Sequence, residues 1–263
     1  MTRWGGTKMK RFLRMVLIGM AAVLAACGVS GRDIDAIKKS GTLQVATEGA
    51  FPPFNYFKDN VLTGFEIDIA EALAKKLGVK VQWTTLGFDV QIPALAQDRF
   101  DFAIASFAIT PERAKAVDFT DPHYCSGGQI VTKIGGAKTA AELKGKTVAV
   151  QIGTTYADAV KKVSDLKEVK TFPKDTDAQQ NLLSDRVDAW VTDKFQALEV
   201  TQKNPALKLQ LGDLLYTEKI AIIVKKDNKS VRDALNKALA EIMADGTYKS
   251  ISEKYFGQDI RCK

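Results

Sequence analysis

Two hydrophobic rhythms alternate along the chain. Short apolar runs, the mark of strands buried in a sheet, give way to segments whose apolar residues recur every three to four positions, the period of a helix packed on one face. Leu43 to Thr47 reads as a strand, and Pro52-Pro53 excludes a helix in the segment through Phe57. In GFEIDIAEALAKKLG, Ile69, Ala70, Leu73, Ala74 and Leu77 form one helical face, with Asp68 as the expected N-cap and Gly78 as the stop. Val79 to Trp83 is the next expected strand, and a helix from Ile92 to Gln97 feeds a strand from Phe100 to Ala105.

The same order restarts past Asp121. Val148 to Gln151 reads as a strand, Tyr156 to Val163 as a helix, Val169 to Phe172 as a strand, and Ala178 to Ser184 as a helix feeding a strand from Val187 to Thr192. Lys219 to Val224 is a further strand, followed by amphipathic helices over Ser230 to Met243 and about Tyr248 to Tyr255. Strand and helix alternate, which predicts an α/β fold with a largely parallel sheet. QDRFDFAIAS, beginning at Gln97, is echoed by SDRVDAWVTD, beginning at Ser184. Each copy ends a helix, makes a D-R turn and enters a buried strand. Two α/β lobes of similar plan, not one continuous sheet, are therefore expected. Lobe 1 comprises 41–121 and 218–263, lobe 2 comprises 125–213, and the crossings near 121–125 and 213–219 make a hinge.

With 46% hydrophobic and 26% charged residues, the 263-residue chain is globular material, neither disordered nor fibrous. Its net charge of +7 suggests nucleic acid or anionic lipid only until the charges are located. Residues 1–26 hold Arg3, Lys8, Lys10, Arg11 and Arg14 and no acid, so only +2 remains for the rest, and no nucleic-acid partner is expected. A basic stretch followed by the apolar run Met15 to Ala26, short of the ~20 residues a membrane span needs, reads as an export signal. Leu24-Ala25-Ala26-Cys27 has the form of a lipobox. It predicts cleavage before Cys27, a lipid on that residue, and a tether and first helix over 27–40. The expected location is outside the cytoplasm, anchored on the outer face of the cytoplasmic membrane or in the periplasm.

In an oxidising compartment the two remaining cysteines, Cys125 and Cys262, are expected to be bridged, the alternative being two buried free thiols. No Cys and His spacing resembles a metal site. His123 is the only histidine, so a hydrolase with a His base would depend on it alone, and a structural role fits its D-P-H turn better.

In open parallel sheets ligands lie beyond the carboxyl ends of the strands. In AITPERAK, Thr110 is an N-cap, Pro111 suits the first helical position, and Arg113 falls where the helix dipole disfavours a cation. An arginine there makes sense if it and the free backbone amides hold a carboxylate; the alternative is a side chain bent into solvent. Asp193 ends the run AWVT and either meets the opposite end of a zwitterion or caps a helix. The echo thus brings one strand end with Ser106 and one with Asp193 to a single cleft. Phe51 and Phe88 either clamp a ligand side chain or belong to the core.

These residues sit in phrases that together resemble an extracytoplasmic solute-binding protein of an ABC importer, in the polar amino-acid family (solute-binding protein family 3). The phrases are ATEGAFPPFNY, TGFEIDIAEALAKKLG, AITPERAKAVDFTDPHY, GKTVAVQIGTT, RVDAWVTD and ADGTYKSISEKYFG, and the likeness covers Asp33 to Gly257. It implies a two-lobe, Venus-flytrap (type II periplasmic-binding) fold with a two-strand hinge, acting as a monomer without cofactor. It would close on an L-amino acid and deliver it to membrane permease subunits. By the resemblance, Arg113 binds the α-carboxylate with amides near Ala108 and Thr154 or Thr155. Asp193 and Ser106 take the α-ammonium, Phe51 and Phe88 sandwich the side chain, and Glu48 and Gln151 sit near its tip. Two departures stand out: Ala108 lacks a hydroxyl common in the family, and Ile220-Ala221 replaces a frequent Tyr-Gly. Glu48 between aromatic faces favours arginine, lysine or ornithine, with glutamine or cystine next. A cyclohexadienyl dehydratase on the same fold and an amino-acid sensor are the alternatives.

Overall fold

The computed structural model describes Met1 and residues 31–262. The expected export signal, Cys27 and the residues just after it lie outside the described residues. The chain begins with α1 (Ile34–Ser40), whose first turn is capped by the Asp33 carboxylate accepting from the Ala36 amide at 2.8 Å. It ends at Gly41 in the left-handed region.

Strand β1 (Thr42–Thr47) leads into a small antiparallel sheet of β2 (Ala50–Phe51), β3 (Asn55–Lys58) and β4 (Val61–Thr63). Then come α2 (Phe65–Leu77), β5 (Lys80–Thr85), α3 (Gln91–Ala96), β6 (Phe102–Ala108) and β7 (Val117–Phe119). The long β8 (Tyr124–Lys133) carries the chain to β9 (Thr147–Gln151), α4 (Thr155–Val160), β10 (Glu168–Phe172), α5 (Asp175–Leu183), β11 (Ala189–Asp193) and α6 (Lys194–Lys203). The still longer β12 (Leu209–Lys225) returns, and α7 (Lys229–Ala244) and α8 (Thr247–Phe256) close the fold.

The strand order is β10-β9-β11-β8-β12-β6-β1-β5, with β7 beside β12. β1 pairs in parallel with β5 and β6, and β9 with β10 and β11, so each half holds the expected parallel core. Two separate sheets were expected, but the ladder is continuous. The reason is that β8 and β12 pass through both halves, paired antiparallel from Leu209 opposite Lys133 to Ile220 opposite Tyr124.

The hydrophobic cores nonetheless divide in two. On one side α2 and α7 bury Phe65, Ile69, Leu73, Leu235, Leu239 and Ile242 on β1 and β6. On the other, Val148, Val150 and Val160 occupy one face of β9, while Ala149, Leu182 and Trp190 occupy the opposite face, as strand alternation requires. Fully burying each such aliphatic side chain contributes about 1.5 to 3 kcal/mol.

Asp68 is not the cap of α2. The helix starts after Gly64, whose φ of 134° and close approach to the Phe54 carbonyl exclude any side chain. Asp68 instead meets Lys254 Nζ at 2.7 Å and Tyr255 Oη at 3.0 Å, tying α2 to α8. Cys125 is bonded to Cys262, with Cα atoms 4.8 Å apart, so the C-terminal tail is fixed to β8 where that strand crosses between the halves.

Candidate functional site

Glu48 follows the end of β1, and Gln151 ends β9 in the other half; Gln151 Nε2 donates to Glu48 Oε1 at 2.7 Å and to the Pro173 carbonyl at 3.0 Å. A cavity opens beside this bridge, lined by Glu48, Phe51, Phe88, Ser106, Arg113, Gln151, Thr154 and Thr155. Eight of the ten expected ligand-binding residues are thus brought to one wall, together with Ala105 and Tyr156. A wider groove adjoins it and shares Arg113 and Thr155. The smaller cavity is where the aromatic rings, the acid and the arginine converge.

Arg113 opens one turn of 3-10 helix, Arg113–Lys115, not the α-helix the sequence suggests. Thr110 Oγ1 still accepts from the Arg113 amide at 3.2 Å, but so short an element carries little dipole. Carbonyls and rings hold the guanidinium instead. Nη1 donates to Ala108 O at 3.0 Å, Nη2 donates to Gly153 O at 3.1 Å, and the group lies 5.4 Å from the Phe88 ring centre and 5.5 Å from that of Phe107. Gly153 is required here: its φ is +75°, and a Cβ would stand 3.2 Å from that of Asp89. Burial lowers the Arg113 pKa, and the Glu218 carboxylate works against that shift.

Thr154 caps α4, donating to Gln151 O at 2.7 Å and accepting from the Ala157 amide at 3.2 Å. Thr155 Oγ1 donates to Glu218 Oε2 at 2.8 Å. Phe51 stacks on Phe54 at 5.3 Å and Phe88 on Phe107 at 4.7 Å. Both rings therefore belong to the core and to the cavity wall at once.

Ala108 and Asp193 do not line the cavity. Ala108 contributes its carbonyl to Arg113. Asp193 is fully buried; Oδ1 accepts from the Phe195 amide at 2.7 Å and the Gln196 amide at 3.4 Å, capping α6, while the Tyr124 and Tyr156 hydroxyls stand 3.5 Å from Oδ2. Burial lifts its carboxyl to about 6, although the two amides pull it down. Burial likewise lifts Glu48 to about 8, with the Gln151 hydrogen bond opposing and Asp175 and Asp89 reinforcing.

Two acids escaped sequence reasoning. Glu218 on β12 is pushed up to about 7 by burial, and nothing in its strand context marked it. Glu66 is fully buried beneath Ser106, and a signal for it existed: it lies three and four residues before Ile69 and Ala70, on the apolar face of α2.

The site thus brings together a guanidinium, partly and fully buried acids and aromatic walls. The model of the bacterial extracellular solute-binding proteins, family 3, matches residues 43–258. The L-cystine-binding protein TcyJ of Escherichia coli K12 is 34% identical over 263 residues, 96% of this chain and 99% of its own. An ancestral arginine-binding protein solved with arginine is 45% identical with a TM-score of 0.79, covering 82% of this chain and 99% of its own, and it has also been solved with glutamine. The ancestral amino acid-binding protein AncCDT-1, described as a precursor of cyclohexadienyl dehydratase, is 36% identical with a TM-score of 0.78, covering 85% of this chain and 99% of its own. The chain belongs to the bacterial extracellular solute-binding proteins, family 3.

Proposed function

We propose that the protein is an exported lipoprotein that captures a polar or basic L-amino acid and hands it to the permease of an ABC importer. Arginine, lysine and ornithine come first, glutamine and cystine next. The observation that carries the preference is the setting of Glu48: a partly buried carboxyl in the cavity wall whose hydrogen-bond donor is the neutral Gln151. The lining cation, Arg113, is turned toward two carbonyls. A cationic ligand side chain would supply the missing partner and let Glu48 ionise, while the Phe88 and Phe51 faces receive its charge. Glutamine or cystine would use the same group through hydrogen bonds alone. Arg113 takes the α-carboxylate and Ser106 the α-ammonium; Asp193, which caps α6 behind the cavity wall, would join Ser106 only if the Tyr124 and Tyr156 hydroxyls at its Oδ2 give way on binding. No residue is assigned a chemical step.

A thermal-shift screen against the L-amino acids, ornithine and cystine tests the reading, because whatever binds only the folded state raises its melting temperature. Shifts led by arginine, lysine and ornithine are expected; no shift with any amino acid would sink the proposal. For the anchor, Cys27→Ser should move the protein from the membrane fraction to the soluble one.

A further inference from the structure

Beneath Ser106 lies a closed polar network that ligand contact alone does not explain. The Glu66 carboxylate, at the start of α2, is fully buried, accepts three hydrogen bonds from Asn55 and Ser106, and faces the ring of His123. Oε1 accepts from the Ser106 amide at 2.7 Å and faces His123 Nε2 at 3.3 Å. Oε2 accepts from Asn55 Nδ2 at 2.8 Å and from Ser106 Oγ at 3.3 Å. Asn55 Oδ1 in turn accepts from the Gly49 amide at 2.9 Å, next to Glu48. Both carboxylate oxygens are therefore engaged, and every partner comes from a segment that borders the cavity or leads into a crossing strand.

Ser106 has a φ of +58°, a left-handed conformation that a non-glycine residue holds only when its surroundings fix it. Glu66 binds both of that residue's protons, amide and hydroxyl. With its hydrogen donated downward, the hydroxyl can offer only lone pairs to whatever lies in the cavity. An acceptor pre-set in this way suits a donor with several hydrogens and a positive charge. On the His123 side the chain continues to Tyr124, whose hydroxyl stands 3.5 Å from Asp193 Oδ2.

We propose that Glu66, supported by Asn55 and His123, is the positioning residue for α-ammonium recognition: it turns Ser106 into a pure acceptor and holds it in register with Asp193. The inference rests on the reading of the cavity as an amino-acid site.

The test compares ligands that differ only in the α-amine. L-arginine, L-glutamine and L-cystine are titrated into the full-length wild type and Glu66→Gln, each beside its des-amino counterpart: guanidinopentanoate, glutaramate or dithiodipropionate. Weak analogues are measured by competition against the bound amino acid. Glu66→Gln should weaken the amino acid by about tenfold or more while changing the des-amino counterpart less than about twofold. Asn55→Ala, which leaves Glu66 and Ser106 intact, should shift the same ratio in the same direction by a smaller factor and serves if Glu66→Gln does not fold. Equal losses for both ligands, or no loss for either, would overturn the inference and leave Glu66 as a purely structural acid. A wild type that bound no amino acid would overturn the functional reading together with this inference, and the wild-type titration separates the two failures.

Discussion

Asp101 and Asp188 make the same hydrogen-bonded ring in the two halves of the sheet. Asp101 Oδ2 accepts from the Gln44 amide at 2.7 Å while the Asp101 amide donates to Gln44 O at 2.8 Å. Asp188 Oδ2 accepts from the Thr147 amide at 2.8 Å while its amide donates to Thr147 O at 2.9 Å. Each aspartate clips the strand it precedes to the beginning of the neighbouring parallel strand. Three residues earlier, Asp98 and Asp185 both turn the chain at φ near +59° and +58°. The echo in the sequence is thus first a folding device and only through its strand ends a contribution to the cleft.

Replacing either clip leaves a strand-edge amide without its acceptor. Asp101→Ala should cost about 1 to 3 kcal/mol, and more than Asp188→Ala, because Asp101 is also paired with Arg32 and is more buried. Urea unfolding of the two variants measures the difference.

Arg113 is held by geometry that a lysine cannot reproduce: two carbonyls on two nitrogens of a plane lying against two rings. Arg113→Ala should lower amino-acid affinity by about a hundredfold, and Arg113→Lys should recover little of it despite keeping the charge. Calorimetric titration decides; normal binding by Arg113→Ala would remove the carboxylate role.

Protonation should separate basic from neutral ligands. With its carboxyl pushed up to about 8, Glu48 is mostly protonated in the free protein at neutral pH. A cationic side chain lowers that pKa, so arginine binding should release close to about one proton, and its affinity should rise as pH climbs from 6 to 8. Glutamine should show neither effect. Titration in buffers of different ionisation enthalpy reads the proton count, and Glu48→Gln should abolish the difference between the two ligands.

The same carboxyls set how stability depends on pH in the absence of ligand. The pKa values of Glu48, Asp193, Asp175 and Glu218 in the folded protein lie above their ordinary values, so the folded state binds more protons than the unfolded one in that interval. Their contribution is fully present below about pH 4 and is lost as pH rises through 6 to 8. The melting temperature of the free protein should fall between pH 5 and pH 8, and Asp193→Asn should flatten the curve.

Much of this was readable beforehand, for physical reasons. Buried strands such as β6 and β9 are mainly runs of apolar residues, and the face of α2 keeps the helical period, so their places follow from pattern alone. The hairpin of β3 and β4 was missed although Asp59 and Asn60, both at positive φ, are suitable turn residues. β8 was missed and β12 was read only from Lys219 onward because their crossing segments carry Gly127, Gly128, Thr217 and Glu218, polar or small residues that give no apolar run. Arg113 was singled out through an argument about a helix terminus that the structure reduces to one turn; the residue does line the cavity, but carbonyls and rings hold it instead. Glu66 was not singled out, although its spacing from Ile69 and Ala70 put it on the buried face of α2.

The paired β8 and β12 impose a mechanical simplicity on the molecule. Two long paired strands, bulged between Leu211 and Tyr216 but in steady register from Tyr216 to Ile220, resist sliding against each other there yet can bend and twist together, and the Cys125–Cys262 bond fastens the chain's end to that stretch. Under the proposed function, bending of these two strands would be the motion that closes the cleft, and the outline of the whole protein, not the cargo, would be what a permease reads.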